Sequence, residues 1–353
     1  MTSLSALHRF MPLILGYVLF LASVQAQPTN TASGMEVPFQ TFTFPATYCG
    51  TLRLESGTEI CIPSNALLTP DGQPVTGDYT LKYRELRHPA EILVTGVRML
   101  ADLGGGQQQF LETDGMFELR AEQHGKPLRV APRKVFKVRF AGETTQQTNS
   151  QYRYDFYRMN PQTGLWQPLR GLEFKVDFGV SPPPQQNTLD EPEWETDGGE
   201  GEGFGSTVFG VPFQANVFRE LEIDEFGLYN CDRIIEDHQL QLMVNLNPLD
   251  PDVKKALAGV SGQYDLVVVY NDIRSVFTYG VKQLKAQLTI YKDKPLKMFM
   301  VLPDKTLLHV PTAQLDPATL AQAGKQPVTL DLIVHFDELA SLDELKTYLA
   351  STF

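Results

Sequence analysis

Apolar and polar residues alternate with a period of two along much of the chain. "MFELRAE" sets Phe117, Leu119 and Ala121 against Glu118, Arg120 and Glu122. "KVFKVRFAG" does the same with Phe136, Val138 and Phe140, and "LEFKVDFG" with Phe174, Val176 and Phe178. Such alternation predicts strands with one face in a core and one in water. Turn signals separate these runs: "TPDGQP", "GGGQQQ", "EQHGKP" and "NPQTG". Short strands at this spacing predict a β-sandwich in the first half. "HPAEIL" has room for a single helical turn there.

The second half mixes strands with short helices. "HQLQLMVNLN" and "PVTLDLIVHF" alternate, the latter leaving His335 on the outer face, while "DLVVVY" and "KMFMVL" are continuously apolar, as in strands buried on both sides. Three helices carry end signals. Asp250, Pro251 and Gly259 bracket the first, and Asp316, Pro317 and Gly324 the second. Ser341 and Glu344 make a capping box for the third, whose Leu342, Leu345 and Leu349 form one stripe. The fold class expected is mainly β, an N-terminal sandwich followed by a strand-rich α+β domain.

The chain ends and one internal segment break these patterns. Residues 1–26 read as a secretory signal: Arg9, the apolar run Leu13–Ala22, then Val24-Gln25-Ala26 before the cut. Residues 27–35 are a polar leader. Residues 181–206 are rich in proline, glycine and acids, too poor in apolar groups to offset the entropy of ordering. The expected domains are therefore a sandwich at 36–180, an acidic linker at 181–206 and a second domain at 207–353. With the signal removed, no further apolar run is long enough to span a membrane. The expected location is outside the cytoplasm: periplasmic, secreted or on the surface.

Charge narrows the partners. The net charge is −12. Between Asp190 and Glu202 there are acids and no bases. No clustered basic face exists for nucleic acid. The acidic linker lacks the spacing of a calcium loop. The histidines and cysteines show no zinc spacing, and no serine-hydrolase elbow is present. No metal or other cofactor is expected.

Three cysteines remain: Cys49, Cys61 and Cys231. Cys49 and Cys61 flank a hairpin at "ESGT". A two-residue turn at Ser56-Gly57 puts Cys61 opposite Leu52 and Cys49 three positions further on, about 10 Å away. A disulfide between them then needs a bulge or a longer loop. Cys231 lies in "GLYNCDRII". This reads as a polar turn, with Asn230 and Asp232 bonding local backbone, Arg233 paired with a carboxylate and Cys231 half-buried. The competing reading is a thiol nucleophile, with His238 as base and Asp232 or Asp237 orienting it.

Two stretches resemble a family. "GTEICIPSNALLTPDGQPVTGDYTLKYRE" followed by "LETDGMFELRAEQHGKPLRV" is similar to a module of secreted Bacteroidetes-type proteins. Around Ile62, Pro63, Ala66 and Leu67 it also resembles the β-sandwich of ankyrins and netrin receptors. "GLYNCDRI", with Asn230, Cys231, Asp232 and Arg233, resembles an element that accompanies this module, although Leu228-Tyr229 stands where that element has Trp then Ile. The resemblance implies a sandwich and protein–protein contact, and no established reaction. The function expected is a non-enzymatic envelope or interaction module whose partner is another envelope or surface protein. The rivals are a thiol-dependent hydrolase built on Cys231 and His238, and a carbohydrate-binding module.

Overall fold

Strand β7 (Gln107–Gln123, 17 residues) is the longest among the described residues. It lies in an eight-stranded sheet with β1 (Gln40–Pro45), β5 (Asp78–Leu86), β6 (Leu100–Gly104), β8 (Lys126–Pro127), β11 (Asp155–Met159), β12 (Trp166–Pro168) and β15 (Gly227–Ile234). A five-stranded sheet faces it: β2 (Gly50–Arg53), β3 (Glu59–Ile62), β10 (Phe136–Gly142), β13 (Val176–Gly179) and β14 (Asn216–Ile223). A short ladder joins β4 (Leu67–Leu68) to β9 (Arg129–Val130). The computed structural model describes residues 35–142, 154–169, 176–179, 216–235, 239–258, 264–291, 294–322, 326–336 and 338–351.

The inner faces of the two sheets meet in one core. Ile60, Val138, Phe140, Leu221 and Ile223 come from the small sheet, and Leu81, Tyr83, Phe117, Leu119 and Tyr229 from the large one. This is the expected sandwich, and its strands obey the predicted parity: Phe117, Leu119 and Ala121 are buried while Arg120 is exposed. Glu118 departs from the pattern. It is buried because Arg84 and Arg120 both pair with it.

The second body is a seven-stranded sheet in the order β18-β17-β20-β21-β22-β16-β19. Its strands are β16 (Gln239–Pro248), β17 (Tyr264–Tyr270), β18 (Ser275–Val281), β19 (Lys285–Tyr291), β20 (Lys297–Val301), β21 (Leu307–His309) and β22 (Val328–Phe336). As the sequence predicts, β20 is buried throughout and β17 from Leu266 onward. Helix α2 (Pro251–Ala258) begins where Val253 N donates to Asp250 Oδ1 at 2.8 Å. In α3 (Pro317–Gln322) Thr319 N donates to Asp316 Oδ2 at 2.9 Å. In α4 (Leu342–Ala350) Glu344 N donates to Ser341 Oγ at 3.2 Å. The predicted far ends at Gly259 and Gly324 lie outside the described residues, as do the signal, the leader up to residue 34 and the acidic linker.

Two features depart from the organisation read off the chain. The boundary drawn at residue 207 does not match the strand pairing. Residues 216–234 return to the sandwich, where β14 pairs with β10 and β15 inserts between β7 and β11. A strand's alternation says that one face is buried, but not which sheet buries it.

The interiors are also not separate. Helix α1 (Pro89–Val94), the turn foreseen at "HPAEIL", packs on α4, and Lys346 Nζ meets Glu91 Oε1 at 2.7 Å. Leu86, Ile92, Leu111, Met116 and Trp166 share one apolar cluster with Leu266, Phe277, Met298 and Leu349. The large sheet is therefore covered on both faces along much of β7, where Leu111 to Leu119 are buried.

Candidate functional site

"LETDG" and "GLYNCDRI" lie side by side. They belong to the adjacent antiparallel strands β7 and β15, with Tyr229 opposite Phe117, Asn230 opposite Met116, Asp232 opposite Thr113 and Arg233 opposite Glu112. "NCDR" is thus a central strand and not the expected turn. Polar residues survive there because β7, distant in sequence, supplies Thr113 to Asn230 and Glu112 to Arg233, which no local pattern announces.

Between Asn230 and Asp232 the register slips, β7 spending one extra residue at Asp114–Gly115. Gly115 has φ +133°, and a Cβ there would lie 2.8 Å from Phe140 Cζ. Glycine is required on both grounds. The bulge moves Glu112 and Asp114 to the face that Phe117 occupies, which aims both acids into the sandwich.

Those acids collect basic and phenolic groups. Asp114 pairs with Arg219 of the facing sheet, and its Oδ1 lies 3.2 Å from Arg274 Nη2, which comes from the 271–274 turn between β17 and β18. Glu112 takes Arg233 Nη2 at 2.6 Å and the Tyr154 hydroxyl at 2.9 Å. On the other face, Thr113 Oγ1 donates to Asn230 Oδ1 at 2.8 Å, and Asn230 Nδ2 donates to Asp232. Ser275 Oγ donates to the Leu111 carbonyl at 2.8 Å, a second tie from the second body.

Burial sets the chemistry. Asp232 is fully buried, and this desolvation pushes its carboxyl well above the usual range, with the Glu112 charge adding to the rise. Burial thus favours the protonated, uncharged form of this carboxyl. Cys231 is 1 % exposed, beside Phe156 and Tyr229, and burial pushes its thiol up to about 12. The cysteine is fully buried, not half-buried. A thiol held protonated and away from solvent is not an activated nucleophile. His238, proposed as its base, and Asp237 lie outside the described residues. Among the predicted family residues, Asn230, Asp232 and Arg233 enter this network, and Cys231 packs beneath it. Glu112, Thr113, Asp114, Tyr154, Arg219 and Arg274 complete it and were not singled out from sequence. The available signal was Asp-Gly in a strand that otherwise alternates.

The other two cysteines sit on the small sheet. Thr51, not Leu52, pairs with Cys61, because the hairpin loop runs over residues 54–58. Cys49 is two positions from Thr51, so it shares Cys61's exposed face, and both are free thiols. No group of three metal-ligating side chains occurs among the described residues. No described helix is long and apolar enough to cross a membrane.

An open basin of about 910 Å³ lies against the large sheet. Its walls are residues 95–98 after α1, the turn 160–164 between β11 and β12, and residues 225–228 leading into β15. Arg84, Arg98, Arg120 and Arg158 line it together with Glu118 and Glu225, over apolar Val97, Leu128, Met159 and Leu228. Arg158 pairs with Glu225, and Arg84 Nη2 meets Glu118 Oε2 at 2.6 Å. Unlike the "NCDR" network, this site is open to solvent. Neither a scan against protein-family models nor a search of curated proteins finds a match to this chain.

Proposed function

We propose that this chain is an exported, non-enzymatic interaction module that holds its two bodies as one unit and presents the basin on the large sheet to a partner protein in the cell envelope. One observation carries the reading: the chemistry concentrated in "LETDG" and "NCDR" is spent inside the molecule, while the open concavity carries guanidinium groups and apolar surface without a nucleophile–base pair. Asp114 ties the two sheets of the sandwich to the second body, as a connecting element would. The two stretches that resemble a secreted module lie on paired strands, so the resemblance and the network concern the same place.

The test is photo-crosslinking in intact cells, with a photoreactive residue at Gln162 or Thr163 on the basin rim and a control at Thr43 on the far edge strand β1. A specific crosslinked protein from the rim and none from the control supports the reading. No crosslink from either rim position, with the protein properly exported, overturns it. The hydrolase reading finds no support in the placement of Cys231.

A further inference from the structure

The basin's charge runs against that of the molecule. Its lining sets four guanidinium groups against two carboxylates, an excess of two positive charges in a chain of net −12. The arginines differ in role. Arg84 is committed to the fold: its Nη1 donates to the Val37 carbonyl at 3.1 Å, its Nε donates to Glu118, and it stacks 4.4 Å from the Phe39 ring centroid. Arg120 and Arg158 are more open, their side chains 58 % and 31 % exposed. Arg120 lies over the same Phe39 ring and shares the buried Glu118 with Arg84, which keeps that acid paired if Arg120 turns to a ligand, while the counter-charge of Arg158, Glu225, is itself 65 % exposed. An incoming carboxylate can therefore replace Glu225 without uncovering buried charge. Guanidinium forks bind carboxylates in a planar, two-pronged geometry that lysine does not reproduce.

The lining also selects between kinds of acidic ligand. Sugar rings are gripped by stacking on exposed aromatic faces, but among the described residues the aromatic lining is Phe226 alone, whose ring is half-buried and packs edge-on against Phe136 at 5.3 Å between centroids. The apolar floor beside the arginines instead fits aliphatic side chains.

We infer that the basin binds an extended acidic peptide segment of the partner, with Arg120 and Arg158 holding its carboxylates and the apolar floor taking the side chains between them. This rests on the reading of the chain as an interaction module and names the chemistry of its partner.

The experiment is fluorescence anisotropy with the mature chain and a labelled peptide alternating aspartate with leucine. Binding should be saturable and weaken as salt rises. Arg120→Gln with Arg158→Gln should weaken it at least about tenfold, since each lost charge-assisted contact is worth that much. The paired Arg→Lys variants should recover only part of the loss. If the double variant fails to fold, Glu225→Gln, which releases Arg158, should tighten binding. Polygalacturonate should not compete. Three results would overturn the inference: no binding at low salt, binding indifferent to these arginines, or polygalacturonate binding with the same arginine dependence. A rim crosslink that survives the double variant would remove this ligand assignment and leave the interaction reading standing. Peptide binding without any cellular crosslink would do the reverse.

Discussion

Arg274, in a turn of the second body, places its Nη2 3.2 Å from Oδ1 of Asp114 on the central strand of the sandwich. Both side chains are buried, and Arg219 meets the same carboxylate from the facing sheet. One acid thus joins three structural layers. Gly142 closes the site so tightly that any side chain there would run into the Asp114–Arg219 pair.

Asp114→Asn should consequently be among the most damaging single changes. It leaves two buried guanidinium groups without their shared counter-charge, and breaking a buried pair this way costs about 3–5 kcal/mol. Arg274→Met should cost less, since Arg219 still neutralises Asp114. Urea denaturation of the two variants would give the order, and equal costs would mean that Asp114 is not the shared centre.

Gly115→Ala should destabilise more than Gly164→Ala. Both glycines have positive φ, so each substitution strains the backbone by about 1 kcal/mol. Only at Gly115 does the added methyl also meet a buried ring, Phe140, whereas nothing lies within 4 Å at Gly164. Thermal melts of the two variants would check the difference.

Brief alkylation of the native protein at pH 8 should modify Cys49 and Cys61 and spare Cys231. The first two are exposed, while burial holds the third as a thiol with a pKa of about 12. Peptide mass spectrometry reads the sites. Rapid native modification of Cys231 would revive the thiol-enzyme reading.

Acid should weaken the second body through His309. Burial first, then the nearby His335 and Lys297 charges, lower its pKa from the ordinary 6.5 to about 4. The unfolded chain therefore takes up the proton first, so stability is fully present above pH 6.5 and declines as pH falls toward 4. His309→Gln should flatten that part of the stability–pH curve. Asp232 acts in the opposite sense, because its folded pKa is raised. Its contribution is greatest in acid and is lost as pH rises above the ordinary carboxylate range, so Asp232→Asn should lessen that loss. Denaturant titrations across this range test both signs.

The strand-dominated class, the parity of β7, β10, β16 and β22, and the caps at Asp250, Asp316 and Ser341 were legible in the chain. Each depends on contacts a few residues apart or on which face of one element is apolar, and such information is written locally. Tertiary structure alone decided that β14 and β15 complete the sandwich, that "NCDR" is a strand, that the cysteine hairpin pairs Cys61 with Thr51, and that Arg219 and Arg274 converge on Asp114. Those outcomes rest on hydrogen bonds and ion pairs between residues as far apart as 160 positions. A buried acid and an exposed one look alike in a sequence, because the partner that makes burial tolerable is supplied by the fold.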